Sequence, residues 1–253
     1  MALSAPVDAK PLSRRDRQRL ATVAEIKALA RRQLAEAGPG ALSLRAIARE
    51  MGMASSALYR YFASYDELIG ALCVDAYDSV ADALAEARDA QPADNPARRW
   101  WAIGHAYRRW ALDSPADFAL IFGTPIPSYQ APPEVTGPAA GRFTAVPALV
   151  YAAAVESGAA DPNRTEVPAT IETGELLADL LGDSAPSYPA RYAGILLNAW
   201  SSLRGYLMAE IFGSLAQLIG DTDQLFRAHL RTVMLGIGFD PTHIDAADPS
   251  ARN

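Results

Sequence analysis

The sequence predicts an all-α fold in two parts, a small N-terminal three-helix domain and a larger helical body. Three observations predict it. Apolar residues recur at i, i+3, i+4 and i+7 in one stretch after another, and no alternating strand pattern or internal repeat occurs. Residues 43–65, SLRAIAREMGMASSALYRYFASY, have the spacing of two helices that cross closely. Charge is divided along the chain: residues 1–65 carry 11 Lys+Arg and 5 Asp+Glu, net +6, whereas residues 66–253 carry 12 and 24, net −12.

Residues 1–18, with Pro6, Pro11 and little apolar content, are expected to form a flexible basic arm. Arg14, Arg15, Arg17 and Arg19 cluster at its end, either to lie along a phosphate backbone or minor groove or as a solvated tail. The first helix carries Val23, Ile26, Ala30 and Leu34 and closes at Gly38-Pro39-Gly40. Ser43 is placed to cap the second helix, which ends at Gly52. Ala48 leaves room for a close crossing, and Leu58, with Ile47 and Met51, fills the wedge. This is helix-turn-helix spacing, with the second helix, Ser55 to Tyr61, offered to a DNA major groove. Ser64 and Glu67 make a capping box for a long fourth helix striped by Leu68, Leu72, Ala76, Val80, Ala83 and Ala87.

Tyr59-Arg60-Tyr61-Phe62, followed by Asp66-Glu67-Leu68, resembles the TetR family of transcriptional repressors over about Val23 to Leu72. The resemblance implies a helix-turn-helix DNA-binding domain at 19–66 and a helical effector-binding and dimerisation domain at 67–240; Asp240-Pro241 is expected to end the fold, leaving a disordered tail at 241–253. It implies a palindromic double-stranded DNA operator bound by a homodimer and released by a small-molecule effector, apolar or amphipathic. The alternative is a helical small-molecule-binding or interaction protein whose helix-turn-helix no longer reads DNA.

The DNA-facing residues that follow are Ser43, Arg45, Ser55, Ser56, Ala57, Tyr59, Tyr61 and Tyr65. Hydroxyls and the Arg45 guanidinium suit phosphates or base edges, and the Ala57 methyl suits a thymine methyl. Two positions depart from the family pattern. Ala54 stands where Ser or Thr usually caps the recognition helix, so Ser55 is expected to take over that cap. Tyr65 stands where Lys is common. Tyr61 and Phe62 could equally be core.

In the body, a helix from Ala97 to Leu112 carries Trp100, Trp101, Ile103, Tyr107 and Trp110, and Ser114-Pro115 opens a short helix through Phe118 and Phe122. Residues 124–141 hold Pro125, Pro127, Pro132, Pro133 and Pro138, which reads as a non-helical lid or disordered loop. Helix resumes from Arg142 to Glu156 and from Pro168 to Leu181. The stripe Tyr192, Ile195, Leu196, Ala199, Leu203, Tyr206 and Leu207 and the helix after Asp221 are expected at a two-fold four-helix interface.

The segment Ala199-Trp200-Ser201-Ser202-Leu203-Arg204-Gly205 resembles a Trp-x3-His-Gly signature of one TetR branch, with Arg204 in the histidine place. The implied effector pocket is lined by Tyr107, Trp110, Phe118, Phe122, Trp200 and Arg204. Arg204 would pair with Asp113, Asp117 or Glu210, or with an anionic ligand.

No catalytic residue is expected. The chain has His105, His229 and His243 only, with no HExxH, GxSxG or phosphate-loop spacing, so neither enzyme, metal site nor cofactor is indicated. Cys73 is the sole cysteine, no run of 18 apolar residues occurs and no signal pattern opens the chain, which together predict a cytoplasmic protein with no membrane partner.

Overall fold

The computed structural model describes residues 13–38, 42–123, 129, 131–167, 192–215 and 217–248. These residues form ten α-helices, one 3-10 turn at Pro162–Arg164 and a single isolated bridge between Ala160 and Phe239. The expected helix from Pro168 to Leu181 lies outside the described residues. The chain divides into two compact units, Met1–Leu68 and Ile69–Asn253.

The first unit holds α1 (Arg14–Ala37), α2 (Leu44–Glu50), α3 (Ser55–Leu58) and the start of α4 (Tyr65–Asp89). Ser13 caps α1 by accepting from the Asp16 amide. Arg14, Arg15 and Arg17 are therefore the first turn of a helix rather than the end of an arm running to residue 18. Ser43 caps α2 by accepting from the Ala46 amide. The end of α2 is a Schellman turn: Gly52 sits at φ +66 while the Gly52 and Met53 amides donate to the Arg49 and Ala48 carbonyls. Ile26, Ala30, Leu34, Ile47, Ala48, Leu58 and Phe62 are buried as the core of this unit.

Three details differ from the sequence reading. The recognition helix α3 is a single turn, and residues 59–61 continue as hydrogen-bonded turns rather than α-helix. Its N-cap, Ala54, offers no side chain, and Ser55 does not supply the missing cap. Without that anchor a four-residue helix has little to extend it. The capping box on α4 forms one residue out of register: Ser64 Oγ accepts from the Glu67 amide, but the Glu67 carboxylate accepts from Ala63 rather than from Ser64.

The second unit packs α5 (Pro96–Asp113) against α6 (Pro115–Phe122), α7 (Pro133–Glu156), α8 (Ala193–Ile211) and α10 (Pro241–Ala247), with α9 (Thr222–Gly236) lying on α8. Asn95 and Asp221 cap α5 and α9. Gly104 lets α5 pass close to α9: a Cβ there would come within 2.5 Å of Leu230 Cδ1, so that side chain would have to shift. Arg142 ties α7 to α4 through Asp78 and Asp82.

Three further expectations are corrected here. The proline-rich stretch is helical from Pro133 onward. Pro133 occupies the first helical turn, where its missing N–H costs nothing, and Pro138 and Pro147 are carried inside the helix. The tail after Asp240 begins with a helix: Asp240 caps it, Pro241 starts it, and Ile244 and Ala247 are buried. The Tyr192 to Leu207 stripe faces this unit's own core. Ile195, Leu196, Ala199, Leu203 and Leu207 are buried within the single chain, so an apolar stripe reserved for a second copy is not where the sequence put it. By length and hydropathy α7 could cross a membrane, but half of that window is buried inside this unit.

Candidate nucleic-acid interface and effector cage

In the first unit the α2–α3 turn presents a row of unengaged donors. Ser55 and Ser56 are exposed, and neither hydroxyl hydrogen-bonds to any described residue. Tyr59 is 44% exposed. Arg45 is exposed on α2 and makes no ion pair among the described residues. The uncapped start of α3 thus leaves the Ser55 hydroxyl available, where a capping role would have consumed it. Beside this turn, an open groove of about 780 Å³ is lined by Arg14, Arg15 and Arg19 from α1 and by Ala57, Arg60 and Tyr61. The Arg19 guanidinium lies 5.4 Å from the centre of the Tyr61 ring. Asp16 is the one acidic lining residue, and it is engaged by Ser13.

In the second unit the aromatic side chains converge. Tyr107 stacks on Trp200 at 4.4 Å between ring centres, and Phe143 meets Trp200 edge-on at 4.8 Å. Phe122 lies within about 6 Å of Tyr77, Tyr107, Phe118 and Phe143. The Arg204 guanidinium is 6.0 Å from the centre of the Phe122 ring. Tyr107 is 1% exposed and its hydroxyl has no hydrogen-bond partner among the described residues. Leaving such a group unpaired costs about 1–3 kcal/mol. Burial pushes the Tyr107 and Tyr77 hydroxyls toward staying protonated, and the Arg204 charge pulls each of them the other way. Among the described residues Arg204 has no carboxylate partner. Glu210, the nearest candidate along α8, is held by Arg108 through Nε at 2.8 Å and Nη2 at 2.6 Å. A small cavity of about 50 Å³ adjoins Trp100 and Trp200, room for no more than about a water or two.

Comparison with known proteins places this arrangement. Residues 26–72 match the family described as bacterial regulatory proteins, tetR family, and residues 100–233 match the tetracyclin repressor-like C-terminal domain. The HTH-type transcriptional regulator Rv1816 of Mycobacterium tuberculosis is 36% identical over 213 residues, 83% of this chain and 90% of that protein. The chain belongs to the TetR family of transcriptional regulators. Mb1846 of Mycobacterium bovis matches to the same extent. The solved structure of the regulatory protein SCO4313 is 36% identical with a TM-score of 0.67, covering 88% of this chain and 99% of that one. A tetR-family regulatory protein from Rhodococcus RHA1, 18% identical with a TM-score of 0.60 over 86% of this chain and 97% of its own, shares the fold.

Of the residues singled out from sequence, this TetR regulator brings Ser55, Ser56, Ala57, Tyr59 and Tyr61 together around the α2–α3 turn. Ser43 is half-buried and spends its hydroxyl on the cap of α2. Tyr65 is half-buried at the start of α4, and desolvation, then the Asp66 charge, raises its pKa. Sequence reasoning missed Arg60, whose place in the groove was readable from its position between two tyrosines of the recognition segment. In the body, Tyr107, Phe122, Trp200 and Arg204 come together with Tyr77 and Phe143, which the sequence did not single out. Phe118 is fully buried, as is Tyr107, and the Trp110 indole N–H donates to Ser79 at 3.1 Å.

Proposed function

We propose that this TetR-family regulator is a cytoplasmic repressor that binds a palindromic operator as a homodimer and leaves it when a small-molecule effector enters the aromatic cage. The observation that carries the reading is the pairing of exposed, unengaged donors on the α2–α3 turn with a groove of four arginines. Serines and Tyr59 would meet base edges and backbone, while Arg14, Arg15, Arg19, Arg60 and Arg45 would meet phosphates. The arrangement fits the +6 charge of residues 1–65 on an otherwise acidic chain.

Dimerisation is assigned to the outward faces of α8 and α9. Leu197, Ser201 and Gly205 on α8 and Ala228, Thr232 and Gly236 on α9 are partly or wholly exposed and mostly small, which suits close helix approach. A Cβ built at Gly205 or at Gly236 meets nothing within 4 Å, so these positions accept larger residues in a lone copy.

A gel shift with genomic fragments, repeated across salt concentrations, tests the DNA role. Each neutralised phosphate adds about 0.9 to the slope of log affinity against log salt. Tyr59→Ala should weaken every sequence alike, whereas Ser56→Ala should change base preference. No shift at any salt concentration would favour a helical small-molecule-binding protein instead. Sedimentation tests assembly: Gly205→Glu with Thr232→Glu should give folded monomers that no longer hold a full operator. Monomeric wild type at micromolar concentration would overturn the dimer.

A further inference from the structure

Between α5 and α9 an open groove of about 350 Å³ is lined by His105, Arg108, Arg109 and Leu112 from the first helix and by Asp223 and Arg227 from the second. None of the rings of the aromatic cage lines it. Three guanidinia and one carboxylate face this space. Residues 66–253 carry only 12 Lys+Arg against 24 Asp+Glu, and three of those twelve cations stand here. Water screens such a cluster, so its cost is not what points to a ligand. The division of labour among the three arginines does. Arg108 is answered within the protein: Glu210 and Asp223 accept from it, and it lies over the Phe226 ring. It is a fixed wall. Asp223, the one carboxylate lining the groove, is spent on Arg108. Arg109 and Arg227 make no ion pair or hydrogen bond among the described residues, and they enter the same groove from two different helices. Their charges meet at half-buried His105, which packs on Trp101 and Phe226. Behind desolvation, Arg108, Arg109 and Arg227 all disfavour its protonated form, and Asp248 opposes them. The neutral imidazole still offers one N–H donor.

We propose that this groove binds a small oxyanion of two or more charges, a phosphorylated or dicarboxylic compound, bridged between Arg109 on α5 and Arg227 on α9 beside His105. Guanidinia from two helices suit an anion with oxygens on two sides, since each planar fork takes a pair of them. The groove has the volume of a small-molecule site, about 300 Å³ or more. Leu112, 42% exposed, gives it an apolar rim for a short carbon skeleton. A ligand here would tie α5 to α9 at the corner already closed by Arg108 and Glu210. The proposal is independent of the aromatic cage, because a compound in this groove need not touch Tyr107, Phe122 or Trp200.

The experiment uses the full chain with pyrophosphate, with succinate as the dicarboxylate and acetate as the monovalent control, all at matched ionic strength. Titration calorimetry gives the affinities, and NMR follows the His105 ring protons against pH. Pyrophosphate or succinate should bind about tenfold or more tightly than acetate. The one that binds more tightly tells phosphate from carboxylate as the natural chemistry. Either should raise the His105 pKa, because a bound anion offsets the arginines that hold it down. Arg109→Ala with Arg227→Ala raises that pKa by itself; the anion should then add nothing further and should bind about tenfold more weakly. Arg109→Lys with Arg227→Lys should keep part of both responses and carries the test should the alanine pair fail to fold. The groove of the first unit also holds arginines, so Arg14→Ala with Arg60→Ala provides the separation: the His105 response should persist in it. A His105 titration unmoved by pyrophosphate and by succinate at millimolar concentration overturns the site. A response to acetate as large as to the divalent anions overturns the bridging arrangement. Movement of His105 by duplex DNA but by neither small anion assigns the groove to nucleic acid and overturns the proposal.

Discussion

Two arginines of the second unit, Arg108 on α5 and Arg204 on α8, stand in opposite circumstances. Arg108 spends its donors inside the protein: Glu210 takes two, Asp223 a third at 2.6 Å, and its guanidinium lies 4.9 Å over the Phe226 ring. Hydrogen bonds to Glu210, then to Asp223, outweigh burial and raise its pKa further. Arg204 lies 6.0 Å from the centre of the Phe122 ring and has no carboxylate partner among the described residues. The difference separates a charge that holds helices together from one left ready for something else. A saturated buried pair locks α5, α8 and α9 at one corner, and removing either member strands the other. A half-exposed cation outside any such pair keeps contact with water, so removing it strands nothing.

The largest expected effect comes from breaking the saturated pair. Glu210 and Arg108 have side chains only 8% and 11% exposed, so Arg108→Met should destabilise the chain by about 3–5 kcal/mol in chemical denaturation. Adding Glu210→Met should recover most of that loss, because the stranded carboxylate goes with it. A small effect of Arg108→Met alone would remove the contrast between the two arginines.

Tyr107→Phe should act the other way and by less. Deleting an unpaired buried hydroxyl should leave stability unchanged or raise it by about 1 kcal/mol in the same denaturation measurement. A loss beyond about 2 kcal/mol would mean the hydroxyl has a partner in solution.

The Arg108 corner also carries a pH signature. Half-buried His105 packs on Trp101 and Phe226, and its pKa falls below the usual 6.5. Desolvation is the main cause; Arg108, Arg109 and Arg227 add to it, and Asp248 opposes it. The folded state therefore binds fewer protons at this site than the unfolded state. The contribution is present above pH 6.5 and is lost as pH falls from 6.5 through the lower folded value. His229 shifts in the same direction by desolvation, with the Ser202 carbonyl opposing. Denaturation midpoints measured from pH 7.5 to 5 should fall, and His105→Gln should flatten part of the slope. A midpoint that rises toward pH 5 would contradict the assignment. The smallest effect belongs to Arg204→Met, within about 0.5 kcal/mol of wild type without ligand, as expected for a residue with no partner to strand.

How much of this was legible in the sequence depended on whether the signal was local. The Ser43 cap, the Gly52 turn and the burial of Ala48 and Leu58 followed from spacing, because a cap or a close crossing is specified within a few residues. The length of α3 was overestimated because an absent cap at Ala54 weakens a helix without changing its periodicity. The prolines of α7 were read as breakers, although Pro133 at a helix start is favourable and a long buried helix tolerates Pro138 and Pro147. The apolar stripe of α8 was visible, but its partner was not. Period 3.6 shows that a face is buried, not whether the chain's own core or a second copy covers it. Arg204 was legible as an odd charge among aromatics; that Glu210 was already taken needed Arg108, 102 residues away.

The far ends of α7 and α9 are clasped by two backbone hydrogen bonds and one tyrosine hydroxyl. The Tyr151 hydroxyl donates to the Ile237 carbonyl at 2.7 Å, the Asp161 amide to Gly238 at 2.8 Å and the Asp240 amide to Ala159 at 3.0 Å. Gly238, at φ +88, admits this approach because a Cβ there would fall 2.1 Å from the Asp161 carbonyl oxygen. The clasp closes the chain between positions 161 and 238 into a ring, so α8 and α9 cannot peel away from one end without first opening it. Loop closure over so long a stretch is costly to re-form once lost, since the ends must find each other again by diffusion. In native-state hydrogen exchange the Asp161 and Asp240 amides should therefore open only when the whole second unit opens, and should set the slowest clock in the molecule.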